Sequence, residues 1–511
     1  MSLNLASLLR DTAKQRPTHP ALIIGDTKIP YAQLHGMVQR FAGALSQLGI
    51  QPGQHVALML PNVPHFTIAY FGTLYGGRTV VPLNVLLTGG EVAYHLEDSD
   101  AVALIAWEGF YEPARAGFDK VPTCKHLIIA KGAPTDTTAP DGALNMTALI
   151  AAATPMAETV PTMPDDTAVI LYTSGTTGKP KGAELSHFNL FYNADYNVRR
   201  LMTIAPDDAI ALAVLPLFHS FGQTCIQNSY LMNGGTIVLL PRFEPKAAFE
   251  LMQTHKVSFF AGVPTMYFAL LHYPDAANYD LSSLKICASG GSAMPVEVMH
   301  AFDKKYKVNI LEGYGLSETS PIASFNVLDR PKKAGSIGLP IGGVEFRLED
   351  NDGKVITETG VPGEICIKGH NVMKGYYKRP EATAESIKQG WFHSGDVATV
   401  DTDGYYFIVD RKKDMVIRGG FNVYPREIEE LLYGHPAVRE AAVIGIPHES
   451  HGEEVCAILA LKEGAKATEQ EIIDYCKEHL AAYKYPRVVR FLADLPKGPT
   501  GKILKRELRI S

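Results

Sequence analysis

Residues 166–182 read DTAVILYTSGTTGKPKG, and the rest of the chain is best read outward from them. Residues 166–172 are apolar and β-prone, which predicts a buried strand. Gly175, Gly178 and Gly182 then let the backbone turn and present its N–H groups. Thr173, Ser174, Thr176 and Thr177 add hydroxyl donors, and Lys179 and Lys181 add positive charge. Ser186 is placed to cap a helix over 187–198. Strand, polar glycine-rich loop and helix together make a setting for a polyanion such as a triphosphate. Taken alone, the same residues also make an ordinary surface loop. The spacing argues against a P-loop. Two residues, not four, separate Gly175 from Gly178-Lys179, and Pro180 stands where that motif needs a hydroxyl for Mg²⁺.

A chain of 511 residues is too long for one ordinary core, so two or more domains are expected. Hydrophobic content of 46% and charged content of 20% are those of a globular protein. The net charge of −6 gives no support for nucleic-acid binding. Six scattered cysteines with no CxxC pair argue against a zinc or disulfide framework. The N-terminal MSLNLASLLRDTAKQRP lacks the apolar core of a signal peptide. The longest apolar run, 209–218, is about half a membrane span. A cytoplasmic location is the expectation.

The first third alternates strand and helix. Helices are predicted over 31–48 (with Gly49 placed to stop the helix), 64–75 and 91–98, and strands over 55–60, 79–82 and 102–107. Repeated βαβ units imply a mostly parallel sheet covered by helices. Residues 132–164 are rich in Pro, Thr and Ala and read as a loop or surface excursion. Strands resume over 210–215, 236–240, 258–262 and 284–288. Beyond about Gly335, glycine-punctuated segments (VEFRLEDNDGKVI, GEICIKG) predict a small antiparallel sheet or barrel. From Met415 an α+β rhythm begins, with helices over 425–433 and 469–480 and strands over 441–446 and 454–461. The fold expected is α/β: a large N-terminal domain of βαβ subdomains plus a small β-barrel-like subdomain, then a small mobile α+β C-terminal domain. The division is expected at 1–412 and 413–511.

Four more motifs follow the loop in order: EGYGLSET (312–319), FHSGD (392–396), DRKKDMVIRGG (410–420) and PKGPTGK (496–502). Together they resemble the adenylate-forming superfamily of acyl-CoA synthetases, luciferases and peptide-synthetase adenylation domains, along essentially the whole chain. Within it the sequence is most similar to bacterial fatty-acid-CoA ligases. That resemblance implies two steps: ATP and a carboxylate give an acyl-adenylate, then coenzyme A displaces AMP. A carboxylate attacking a triphosphate meets charge repulsion, so catalysis must be positioning plus preorganised positive charge.

By motif position, the resemblance implies that Thr173, Ser174, Gly175, Thr176, Thr177 and Lys181 cradle the phosphates. Gly313, Tyr314 and Gly315 would line the nucleotide site and Ser317 would contact the α-phosphate. Glu318, with Thr173, would hold Mg²⁺. Asp396 would accept from the ribose hydroxyls, with Arg411 beside it. Lys502 would stabilise the adenylation transition state, and Gly498 stands before it where relatives often have Thr or Ser. The C-terminal domain would pivot at Lys413, and Gly419 and Gly420 would line the coenzyme A path. Taken singly, Glu318 is a loop carboxylate, Asp396 a turn residue, Lys502 a surface lysine and Gly419-Gly420 a plain turn.

His219, in LPLFHSFG, matches the position that meets the carboxylate or the thiol, although a lone His among apolar residues is more often structural. Phe221, Cys225, Ala288, Gly291, Gly315 and Ile322 match the acyl pocket. They are apolar or small and offer no partner for a second substrate charge, which favours a medium- or long-chain fatty acid over a hydroxycinnamate or benzoate. Loading of a separate carrier protein is the other alternative. The partners implied are small molecules (the acid, ATP with Mg²⁺, and coenzyme A). Peripheral membrane contact and oligomerisation stay open.

Overall fold

The structure, a computed structural model, describes residues 2–173, 179–201, 203–419, 421–498 and 501–509. Four sheets organise it. The first has eight strands, in the order Gly375–Tyr376, Lys181–Ser186, Thr167–Thr173, Thr79–Pro82, His55–Met59, Ala101–Trp107, His126–Ala130 and Leu144–Asn145. Its strands from Thr167–Thr173 onward are parallel, as the βαβ reading requires. The helix Pro64–Tyr75 between two of them is buried all round, with Pro64 opening its first turn. Tyr31–Gln47 ends where Gly49 takes a φ of +79°.

Two expectations need correction here. The glycine-rich loop does not lead straight into a helix. Lys181–Ser186 returns antiparallel to Thr167–Thr173, so the loop tips a β-hairpin. The helix follows that second strand, over His187–Tyr196, where Ser186 and Asn189 bond each other's backbone N–H at 3.1 and 2.8 Å. It then widens into a π-helical stretch, Asn197–Leu201, instead of running on as an α-helix. The supposed excursion at 132–164 also holds structure. Leu144–Asn145 joins the sheet edge, and Asn145 caps the helix Met146–Ala152.

The second sheet has nine strands. Ile210–Ala213, Phe259–Gly262, Ile286–Ser289 and Ile310–Gly315 run parallel through its centre. The N-terminal hairpin Pro20–Ile24 and Thr27–Pro30 completes one edge. Asn62, three residues past the end of a first-sheet strand, donates to the carbonyls of Ala213 and Leu215 at 3.0 and 2.9 Å and accepts from Leu217 N–H at 2.9 Å. These buried bonds tie the two sheets together and fix the segment that leads to His219.

The third sheet has six antiparallel strands, among them Val344–Glu349, Gly363–Gly369, Trp391–Val400 and Tyr406–Arg411. The fourth, of five strands, starts at Val416–Arg418. It is built on the long hairpin of Val438–His448 and Gly452–Leu461, with the helices Pro425–Tyr433 and Glu469–His479 packed on it around a core of its own. No helix among the described residues is long and apolar enough to cross a membrane.

Candidate active site

The parallel strands of the second sheet set the floor of the site at their carboxyl ends, where open α/β sheets bind ligands. From Ala213 the chain enters the His219 segment, after Ser289 come Gly290 and Gly291, and Ile310–Gly315 carries EGYG. The backbones approach too closely for side chains. A Cβ on Gly313 would sit 2.2 Å from the Phe325 ring, and one on Gly315 would sit 1.7 Å from the Pro321 carbonyl oxygen. A Cβ on Gly290 would meet the Phe221 ring at 3.1 Å and the Gly313 carbonyl at 3.4 Å.

Tyr314 donates its hydroxyl to Asp396 at 2.7 Å, and Arg411 Nε lies 3.1 Å from the other Asp396 oxygen. Asp396 is buried, and Asp396 and Arg411 face each other across one strand pair of the third sheet. The Tyr314 phenol is pushed well above its ordinary range by burial and by the Asp396 charge beside it.

Lys502 reaches the same place from the C-terminal segment. The turn before it, at Gly501 with a φ of +78°, rests on the start of the helix Pro264–Leu271, where Thr265 Oγ1 donates to the Gly501 carbonyl at 3.2 Å. Lys502 keeps some exposure, but its ammonium end is enclosed. Burial and the Arg411 charge push it down to about 8, against the opposing pull of Asp396 and Asp414. Half-buried His219 lies within reach of the Lys502 charge. Its imidazole is pushed down to about 4, first by burial and then by that lysine. His219 Nδ1 accepts from Phe221 N–H at 3.2 Å, so the neutral ring carries its proton on Nε2.

Glu318 lies buried on the turn Ser317–Thr319, which packs against the strands Thr167–Thr173 and Lys181–Ser186. The Tyr376 hydroxyl donates to Glu318 Oε1 at 2.9 Å, and Lys181 Nζ stands 5.2 Å from the Tyr376 ring centre. Thr173 and Lys181 oppose each other at the base of the hairpin loop. Tyr94 holds the loop's far side by donating to the Pro180 carbonyl at 2.7 Å, with Lys179 over its ring. Ser174, Gly175, Thr176 and Thr177 lie outside the described residues, as does Gly420. The oxygen donors Glu318 and Thr173, brought to adjacent elements beside a lysine, suit a hard cation carrying phosphate.

An apolar cavity of about 10 Å³ opens beside this floor, lined by Phe221, Cys225 and Ala288 together with Leu201, Phe259 and Phe325. It holds about one water-sized sphere. Two π-helical stretches, Asn197–Leu201 and Phe221–Asn228, supply half of its walls, a common use of such bulges at functional sites. Gly291, Gly315 and Ile322 are not part of its lining. Gly291 sits in the left-handed region at a φ of +79°, and Ile322 is fixed by bonds to Asn193 and Asn371. Gly419 has a φ of +57° and donates to the His451 carbonyl at 2.9 Å, and exposed Lys413 lies between the third and fourth sheets.

Sequence reasoning did not find Tyr376, Gly290 or Thr265. Tyr376 belongs to a two-residue edge strand whose pairing with Lys181–Ser186 is purely tertiary. Gly290 was readable as the neighbour of Gly291, and Thr265 carried no local signal.

This arrangement is that of a nucleotide-dependent enzyme acting beside an apolar cavity. Residues 9–377 match the AMP-binding enzyme family, and residues 427–502 match the AMP-binding enzyme C-terminal domain. The chain is 36% identical over 532 residues to a long-chain-fatty-acid–CoA ligase of Bacillus subtilis, covering 99% of this chain and 94% of that protein. It is 38% identical over 502 residues to a feruloyl-CoA synthase of an Amycolatopsis species, covering 97% and 96%. The ATP-bound MatB of Rhodopseudomonas palustris matches with a TM-score of 0.91 at 32% identity over 100% of this chain and 99% of that one, and its apo form with 0.81. The chain belongs to the AMP-binding enzymes, the adenylate-forming superfamily. Within that superfamily it stands with the acyl-CoA ligases.

Exchange of Tyr376 for Phe tests how Glu318 is held. ATP–pyrophosphate exchange should fall about tenfold, the value of one charge-assisted hydrogen bond of about 1.5 kcal/mol. Unchanged exchange would show that the tyrosine does not position the carboxylate.

Proposed function

We propose that this protein is an ATP-dependent, AMP-forming acyl-CoA synthetase whose preferred acid is a medium- or long-chain fatty acid. The observation that carries the reading is the meeting of Lys502, Arg411, Asp396 and Tyr314 beside a cavity whose lining has no charged side chain. An acid with a second charge would be left unpaired there.

In the first step a carboxylate oxygen attacks the α-phosphorus, and the bond to the β-phosphate oxygen breaks to release pyrophosphate. Lys181 and the hydroxyl loop hold the phosphates, Asp396 takes the ribose hydroxyls, and Lys502 offsets the charge that builds on the α-phosphate. Glu318 and Thr173 would hold Mg²⁺, which would supply further neutralisation of phosphate charge. His219, close enough to feel the Lys502 charge and bonded to the backbone of the cavity residue Phe221, would meet the acid's carboxylate. In the second step the coenzyme A sulfur attacks the acyl carbon, the acyl–phosphate bond breaks to release AMP, and the thiol proton leaves to solvent. Lys413 is the pivot between residues 1–412 and 413–511, and Gly419 lines the thiol's path. The cavity at its present size admits no acyl chain, so its walls must rearrange when the acid enters. The feruloyl-CoA synthase relative favours a second reading, in which the same apolar space takes a flat aromatic acid.

Product mass spectrometry with ATP, Mg²⁺, coenzyme A and a mixed panel of fatty, aromatic and dicarboxylic acids separates these readings. A ladder of fatty acyl-CoA thioesters is the expected result. Dominant aryl-CoA products would overturn the fatty-acid assignment. Adenylates without thioesters would move the acceptor to a carrier protein.

Lys502→Ala should abolish adenylate formation while largely sparing thioester formation from supplied acyl-adenylate. Equal loss of both half-reactions would remove the lysine from its assigned step.

A further inference from the structure

Three neighbouring strands of the third sheet, Val344–Glu349, Gly363–Gly369 and Trp391–Val400, carry a cluster that the adenylate chemistry leaves unused. Cys366 lies opposite His393 in one strand pair and opposite Arg347 in the other, and Glu364 lies opposite Glu349. The two-residue period of a strand puts Arg347 with Glu349, and Glu364 with Cys366, on a common face. His393 Nδ1 is 3.4 Å from the Cys366 sulfur and 3.7 Å from a Glu364 oxygen, and its Nε2 is 4.0 Å from Glu349. One donor atom from each of Glu349, Cys366 and His393 lies within 4.8 Å of the other two.

Two polar atoms beside the cluster lack a well-directed partner. Glu349 and Cys366 are buried. Glu349 has an ion-pair contact with Arg347, yet its Oε1 accepts no well-directed hydrogen bond and Arg347 Nε donates none. A cavity of about 140 Å³ reaches this place. Glu349 and Glu364 stand in one wall and Met415, Asn422 and Tyr424 in the other, with Lys412 at the junction, so the cavity lies between the third sheet and the C-terminal domain.

We propose that Glu349, Cys366 and His393 form a binding site for a thiophilic divalent cation of the zinc type, bordered on its Glu349 side by this cavity. Thiolate, imidazole and carboxylate are the donors such a cation takes, whereas Mg²⁺ and Ca²⁺ prefer all-oxygen sets. Ligands sharing a tetrahedral zinc stand about 3.3–3.8 Å apart, given bonds of about 2.0–2.3 Å. The sulfur–nitrogen pair at 3.4 Å already meets that spacing. The carboxylate, whose oxygen stands within 4.8 Å of the other two donors, must move in to that spacing, releasing Arg347 to its stacking partner Trp391, whose ring centre is 4.2 Å away. Binding exchanges the Cys366 thiol proton for the metal, and the proton leaves to solvent. Water or Glu364 takes the fourth position.

Occupancy would be felt at both catalytic steps. Glu364 Oε1 accepts from Gly395 N–H at 3.0 Å, next to Asp396, and its Oε2 is 3.2 Å from Lys412 Nζ, next to Lys413. The other described His-and-carboxylate group, His448, His451 and Glu454, contains no thiol, which makes the two distinguishable.

The test is a cobalt(II) titration of the reduced, full-length protein, read by thiolate-to-cobalt charge-transfer absorption in the near ultraviolet. The expected band saturates at one equivalent, is bleached by zinc, disappears in Cys366→Ser and persists in Cys456→Ser. Glu349→Gln and His393→Asn should each weaken cobalt binding at least about tenfold. Circular dichroism checks that each variant is folded. If Cys366→Ser does not fold, the affinity of Glu349→Gln decides, and an unchanged value overturns the proposal. Absence of the band at millimolar cobalt in folded wild-type protein, or its survival in folded Cys366→Ser, also overturns it.

Discussion

The Asp396 carboxylate, gripped by the Tyr314 hydroxyl at 2.7 Å and by Arg411 at 3.1 Å, is the constraint on which the site depends. Tyr314 comes from the second sheet, whereas Asp396 and Arg411 come from the third. A buried carboxylate is costly unless it is paired and hydrogen-bonded, so this grip fixes how the two sheets meet. Lys502 then brings a further positive charge to the same group from the C-terminal domain. Burial and the Arg411 charge lower the Lys502 pKa to about 8, with Asp396 and Asp414 pulling the other way. The result is a preorganised positive field of the kind that phosphoryl chemistry needs.

Backbone closeness is the second constraint. Gly313 and Gly315 sit where any side chain would strike Phe325 or the Pro321 carbonyl, so the EGYG strand presses flat against its neighbour. Gly290 is squeezed between Phe221 and Gly313 and joins the nucleotide floor to the apolar cavity. A displacement of the Phe221 ring would therefore press on Gly290 and, beyond it, on Gly313. That closeness gives a physical route by which acid and nucleotide binding can influence each other.

Much of this was legible in the sequence because the signals were local. The helix 64–75 and the strand 79–82 match their predicted bounds, since Pro64 marks one start and continuous apolar runs mark both interiors. Failures came where pairing partners lie far away. The strand Lys181–Ser186 (KGAELS) is short, half polar and interrupted by glycine, and only its register against Thr167–Thr173 makes it a strand. The helix Met146–Ala152 was hidden by the Pro- and Thr-rich residues around it, though Asn145 ahead of an apolar run was a readable cap. For the site, the motifs pointed to Tyr314, Asp396, Arg411 and Lys502, which the fold gathers. Tyr376 on Glu318 and Thr265 under the Gly501 turn are contacts between distant segments and left no periodic trace.

The most direct test of a C-terminal lysine delivered into this charged enclosure is the titration of Lys502 itself. Competitive amine labelling of the full-length protein across pH, read peptide by peptide by mass spectrometry, reports its protonation. Because its folded-state value is lowered, the ammonium should be charged below and neutral above about pH 8, and adenylate formation should decline as pH rises through that value. A Lys502 half-titrated near 8, well below the surface lysines, is the predicted result. A Lys502 that titrates with them near the ordinary 10.5 would contradict the assembled site.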